Sequence, residues 1–294
     1  MSLIAPLIPI ILPVILCAAL GMLWVRFQQP FDQEFIRRIV MWVGAPALIV
    51  ASLGKTDISM SLLQQVFLAT LCLLVCSAIL AALSCLLLRL SLRDFVVPLV
   101  FGNFGNMGLP LCLFAFGDEG LAIGIGVFLV TTVSHFSLGV AVLNGRAAAK
   151  SVVTSPLVYA GFFACLLIFK DWQLPESAQN TLNILGGLAI PLMLMTLGVS
   201  LSTLKLRSLT ASLGLGSLRL MIGLASGLLT VYLLDLQGML RNVVLLQAAT
   251  PAAVFSYLLA MQYRREPEMV AGMVVCSTVI SFVSIPVLLY FLGV

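Results

Sequence analysis

Apolar runs of about 20 residues recur from one end of the chain to the other, separated by short connections with breakers such as Gln29-Pro30 and Glu266-Pro267. A helix of that length crosses a hydrocarbon layer ~30 Å thick. Ten spans are expected, at about 5–25, 35–54, 62–88, 95–116, 120–143, 154–170, 180–200, 209–234, 240–262 and 269–292. No polar block between them is long enough to form a soluble domain. The fold class is therefore an all-α polytopic membrane protein.

Composition agrees. Of 294 residues 62% are hydrophobic and 9% charged, with a mean hydropathy of +1.19, whereas a soluble domain is about one-quarter charged. The formal charge of +4 is scattered over short connections and forms no nucleic-acid face. Alternate connections hold eleven basic residues: Arg26, Arg37, Arg38, Arg89, Arg93, Arg146, Lys150, Lys205, Arg207, Arg264 and Arg265. The opposite side holds three, Lys55, Lys170 and Arg241, and Arg219 falls inside a span. Counted against the positive-inside rule, this asymmetry puts both termini on the non-cytoplasmic side of a bacterial inner membrane. The N-terminal run has no basic residue before it and reads as a first span with an exported N-terminus, not as a signal peptide. All seven cysteines lie in apolar runs, where they read as small buried hydrophobes.

A faint internal repeat runs through the chain. Ala5-Pro6-Leu7 resembles Ser155-Pro156-Leu157, and GAPALIVASLG (44–54) resembles AIPLMLMTLG (189–198), aligning Pro46 with Pro191. Pro110 pairs with Pro251 at an offset of 141, and Thr131-Thr132-Val133 with Ser277-Thr278-Val279 at 146. Offsets near half the chain length divide it into a first five-helix repeat (1–143), a short cytoplasmic link (144–153) and a second repeat (154–294). Five being odd, the second repeat is inverted relative to the first.

The fourth and ninth spans share a design. FVVPLVFGNFGNMGLPLCLFAF (95–116) and VVLLQAATPAAVFSYLLAM (243–261) each have an apolar arm, a polar or small-residue break, a proline and a second apolar arm. A proline removes a donor and frees a carbonyl on the preceding turn. Such groups are tolerated at membrane depth only where protein or a watery cavity satisfies them. Paired interruptions at matching places in two halves point to a carrier's binding site. Half-helices beginning near Pro110 and Pro251 aim positive dipole ends at the break, where an anion can rest. Asn103, Asn106 and Gly108 on one span and Gln247 and Thr250 on the other are the candidate substrate contacts. The competing reading is that Gly102, Gly105 and Gly108 only permit close helix packing.

All eleven acids lie at span ends or in connections, which argues against an intramembrane carboxylate pair as ion carrier. His135, the only histidine, lies deep in the fifth span; it either couples transport to protons or packs as a neutral, hydrogen-bonded side chain. Arg219 either snorkels to an interface or faces the cavity and attracts anions. Thr131, Thr132, Ser134, Ser277 and Thr278 are either interhelical hydrogen-bonders or the lining of a cation or substrate site. No Gly-x-Ser-x-Gly or His-Glu-x-x-His motif is present, so an intramembrane enzyme is not indicated. No cofactor or metal site is expected; the energy source left open is a proton or sodium gradient.

GNFGNMGLPL in the fourth span, IPLMLMTLGVSL (190–201) in the seventh and LQAATPAAVFSYLLAMQY (246–263) in the ninth resemble the auxin efflux carrier family. That family includes bacterial malonate and other organic-acid carriers and the plant auxin exporters, and the resemblance covers essentially the whole chain. It implies two inverted five-helix repeats similar to those of bile-acid symporters and sodium/proton antiporters, with helices four and nine crossing at their breaks. It also implies a small carboxylate substrate beside that crossing, an elevator-like movement and a homodimer. Asn103, Asn106, Pro110, Thr250 and Pro251 match the crossing motifs. The long central loop of the plant proteins is replaced by NGRAAAKSVV (144–153). The leading expectation is a secondary carrier of small organic anions that works in efflux; the rivals are a sodium-coupled symporter and a non-transporting receptor.

Overall fold

The computed structural model describes residues 7–55, 59–144, 155–170, 172–204 and 208–294. All but the first residue of the expected link at 144–153 lie outside the described residues, as do Lys205 and Arg207. Helix α1 (Ile8–Arg26) is followed by α2 (Gln33–Ile39) and α3 (Ala45–Lys55), then α4 (Met60–Leu87) and α5 (Leu92–Val100). Next come α6 (Leu109–Ser134), α7 (Val140–Asn144), α8 (Pro156–Lys170), α9 (Glu176–Gly187) and α10 (Ala189–Thr203). The chain ends with α11 (Leu209–Leu233), α12 (Gly238–Ala248), α13 (Val254–Gln262) and α14 (Pro267–Phe291). Wide π-turns at Val40–Gly44, Phe104–Gly108 and His135–Gly139 join α2 to α3, lead into α6 and join α6 to α7. Seven helical stretches among the described residues are long and apolar enough to cross a membrane.

The helices are built for lipid. On α4, Phe67, Leu68, Leu71, Val75, Ile79 and Leu83 point outward, while Ala69, Thr70, Ser77 and Ala81 are buried. Large apolar side chains face the hydrocarbon and small or hydroxylated ones face the neighbours, as helix packing without a hydrophobic driving force requires. Two of the buried hydroxyls are satisfied at home: Thr70 Oγ1 donates to the Val66 carbonyl at 2.6 Å and Ser226 Oγ to that of Ile222 at 2.6 Å.

Two groups of helices result. In one, α1 packs on α10 and α3 packs on α8 and α9. In the other, α11 packs on α14, α4 and α12, while α6 packs on α12 and α4. The α1–α10 contact is a backbone approach: a Cβ on Gly198 would overlap the Ala18 carbonyl, and one on Gly21 the Met195 carbonyl. The 40-residue apolar stretch from Phe104 to Leu143 is interrupted at Gly117 (φ 67°, ψ −158°), a conformation that only glycine adopts readily, and this falls in the connection expected between 116 and 120.

Gly198→Ala is expected to destabilise the protein by roughly 1–3 kcal/mol, because the helices must separate. Gly214→Ala, whose added methyl meets nothing, is expected to be neutral or to stabilise by up to about 1 kcal/mol. Thermal melts of both variants in detergent check the pair.

Candidate functional site

The interruptions in the two broken helices meet. After α5 the chain is extended through Phe101–Asn103, and after α12 it is non-helical through Ala249–Ala253. Gly102 and Ala252 form an isolated antiparallel bridge: the Asn103 amide donates to the Pro251 carbonyl at 2.7 Å, and the Ala253 amide to the Phe101 carbonyl at 3.1 Å. The Ala252 amide donates to Ser277 Oγ at 3.1 Å. Each reason for the break is local. Pro251 offers no donor and disfavours helix at Thr250, while Gly102 sits where a Cβ would overlap Arg219 and Thr250.

The crossing lies eight residues before Pro110. The half-helix expected to begin near Pro110 starts at Phe104 as a π-turn, and Pro110 sits within the first turn of α6. Pro110 deprives the Asn106 carbonyl of its i+4 donor, which accounts for a widened turn there. On the other strand the helix restarts at Val254, not at Pro251. The bridge therefore pairs residues 150 apart, whereas a proline-to-proline alignment gives 141.

A cavity of about 400 Å³ lies between the two helix groups, within the ~300–1,000 Å³ usual for small-ligand sites. The crossing contributes Gly102, Asn103, Phe104, Gly105 and Asn106 from one strand and Ala253, Val254 and Phe255 from the other. Thr131, Thr132 and His135 add a second wall, and Met193, Thr196, Ser200 and Thr203 of α10 face them across the space. Glu34 and Arg37 of α2 also line it, with Arg37 Nε donating to Glu34 Oε2 at 2.9 Å and Arg38 Nε to Glu34 Oε1 at 2.9 Å. All three π-turns reach this cavity, through Val40, through Phe104 to Asn106, and through His135.

Asn103 is 5% exposed and its Nδ2 has no hydrogen-bond partner. An unpaired buried amide costs about 1–3 kcal/mol, so this one stands ready for an acceptor. His135 stacks on the Phe101 ring, centroids 4.2 Å apart and planes 3° from parallel, with Nε2 3.4 Å from Ser256 Oγ. It thus bridges the first break and the half-helix that follows the second.

Other expected residues lie off the cavity. Gln247 donates from Nε2 to Cys112 Sγ at 3.5 Å and packs against Gly108, wedging α12 to α6. Thr250 Oγ1 donates to the Gln247 carbonyl at 2.6 Å and caps the end of α12. Ser134 and Thr278 donate to the carbonyls of Val130 and Val274, and Ser277 serves the crossing; Thr131, in the cavity wall, donates to the Val127 carbonyl. Arg219 is 1% exposed and lies against the crossing but outside the cavity. Sequence reasoning missed Thr196, Ser200 and Thr203, although their spacing of four and three places three hydroxyls on one helix face.

The sequence profile of the family described as membrane transport protein matches residues 3–154 and 147–289. An "Uncharacterized transporter" of Methanothermobacter thermautotrophicus is 30% identical over 270 residues, covering 87% of each chain. An "Uncharacterized transporter" of Methanocaldococcus jannaschii is 26% identical over 86% of this chain and 87% of its own. A "Putative malonate transporter" of Rhizobium meliloti is 23% identical over 65% of this chain and 64% of its own.

The cavity is expected to hold water. Asn106→Cys and Thr196→Cys should react with a membrane-impermeant maleimide in opened vesicles, and Thr278→Cys, fully buried, only after denaturation. Mass-shift gels on a cysteine-free background measure the difference.

Proposed function

Because the chain belongs to the membrane transport protein family, that of the auxin efflux carriers, we propose that it is a secondary carrier of small organic anions. The carboxylate rests at the crossing, in the cavity between the two helix groups. One observation carries this reading: both half-helices that restart at the crossing, at Phe104 and Val254, turn their N-terminal residues into one cavity, beside the unpartnered Asn103 amide. Helix N-termini present free N–H groups and a positive dipole end, which bind a carboxylate without a charged side chain at the contact. The mostly apolar walls, with Phe104, Phe128, Phe136, Phe255 and Tyr257, accept the ligand's carbon body.

In this reading each interrupted helix counts as one crossing of the bilayer, and the break at Gly117 separates the fourth from the fifth. Ten crossings in two inverted groups of five follow, with 144–153 as the link. The antiparallel pairing of the broken segments supports it. The wall made by α2 and α10 stays with one helix group while the crossing moves with the other, an elevator-like alternation. The cavity's charged residues, Glu34 and Arg37, belong to the first connection, on the side that carries most of the basic residues. By the positive-inside rule that side faces the cytoplasm, both termini lie outside, and the chain sits in a bacterial inner membrane as a carrier facing inward, ready to export. The malonate in the printed name of the Rhizobium meliloti relative makes that dicarboxylate the first substrate to test.

Proteoliposomes loaded with malonate, malate or an auxin-like acid are expected to show saturable flux; none for any of them, with or without ion gradients, overturns the carrier. Asn103→Ala and Asn106→Ala are each expected to weaken binding about tenfold, the loss of a hydrogen bond to a charged group. Melting temperatures should stay near wild type, since the Asn103 amide has no internal partner to lose.

A further inference from the structure

The crossing has four helix ends, and the structure sorts them. The two N-terminal ends, Phe104–Asn106 and Val254–Phe255, line the cavity. The two C-terminal ends, α5 stopping at Val100 and α12 at Ala248, do not. Helix C-termini leave carbonyls without intrahelical partners and carry partial negative charge. A break of this kind therefore has a positive side, which takes an anion, and a negative side, which needs a cation.

Arg219 occupies the negative side. Its Nη2 lies where a Cβ on Gly102 would fall, beside Thr250 Oγ1, and its Nη1 lies 2.6 Å from where a Cβ on Gly223 would fall, beside the Ala248 carbonyl. The bare Cα atoms of Gly102 and Gly223 make the room. Nε and Nη1 have no hydrogen-bond partner, and no carboxylate pairs with the guanidinium among the described residues. A buried cation without a counter-ion is costly. What it lies against is the segment that follows α5, at Gly102, and the end of α12, at Ala248 and Thr250.

We propose that the Arg219 guanidinium is a resident counter-cation of the crossing, in place of a co-bound sodium ion. This rests on the carrier reading and deepens it: the site takes an organic anion on its positive side with no cation to be carried alongside. Arg219 acts through the crossing and is a positioning residue; it does not touch the substrate. Its charge holds the two C-terminal ends together against their mutual repulsion. The two N-terminal ends then stay aimed at one point. Of the hydroxyls beside the crossing, Ser277 is already engaged, accepting from the Ala252 amide and donating to the Val274 carbonyl.

Two measurements on the full chain in nanodiscs test this. Thermal-shift titrations of wild type with malonate, malate and indole-3-acetate, run in sodium chloride and in choline chloride of equal strength, are expected to give the same apparent affinity. A sodium requirement of about tenfold or more overturns the proposal. Independently of any anion, Arg219→Ala should melt below wild type and be restored by methylguanidinium but not by tetramethylammonium. Arg219→Lys should stay nearer wild type than Arg219→Met, which keeps the bulk and loses the charge. An Arg219→Met protein as stable as wild type, or no response to methylguanidinium, also overturns it. If no carboxylate binds the wild type, the carrier reading fails, while the guanidinium arm still decides whether the crossing needs a fixed cation.

Discussion

At membrane depth there is no water to satisfy a backbone that leaves its helix, and the protein answers this constraint at one place. The extended residues Phe101–Asn103 and the break at Ala249–Ala253 satisfy each other, amide to carbonyl, across the Gly102–Ala252 bridge. Ser277 takes up the Ala252 amide from α14. Much of the surrounding sequence makes sense only as support for this arrangement. Pro251 prevents helix from forming through it, Gly102 lets the strands and Arg219 come close, and Gln247 fastens α12 to α6 beside it.

Satisfying the backbone does not remove the polarity of the helix ends. It concentrates it. Four ends converge in a small volume of low dielectric, where a partial charge acts more strongly than at a surface. Both positive ends open on the cavity, next to an amide with no internal partner, and a buried guanidinium lies off the cavity against Gly102, Thr250 and Gly223. The site is thus electrostatically directional, and on the proposed reading its selection of an anion rests on backbone geometry more than on charged side chains.

The rest of the fold keeps that geometry in place while leaving a seam beside it. Thr70, Thr131, Ser226 and Thr278 spend their hydroxyls on local carbonyls of their own helices. In the other group, α1 and α10 approach through Gly21 and Gly198 with backbone nearly against backbone. The cavity occupies the seam between these two well-packed groups, and the three π-turns that reach it widen the helices where a ligand needs room. His135 belongs to this seam, stacked on Phe101 of the first break and within reach of Ser256 beyond the second.

The sequence by itself determined the all-helical membrane class, the places where helices start and stop within a few residues, and the two interrupted segments, because run length and proline act locally. It also marked Asn103, Asn106, Thr131, Thr132 and His135, which the structure places on one cavity. Only the tertiary structure decided the register of the crossing, which pairs Gly102 with Ala252 and leaves Pro110 in the first turn of α6. It alone separated cavity residues from supports such as Gln247, Thr250 and Ser277, and placed Arg219 behind the crossing. The physical reason is the solvent. In lipid a helix is apolar on its outer face as well as its inner one, so the periodicity that tells inside from outside in water is nearly erased. Which side of a buried break a group occupies is then settled only when the second broken helix arrives from 150 residues away.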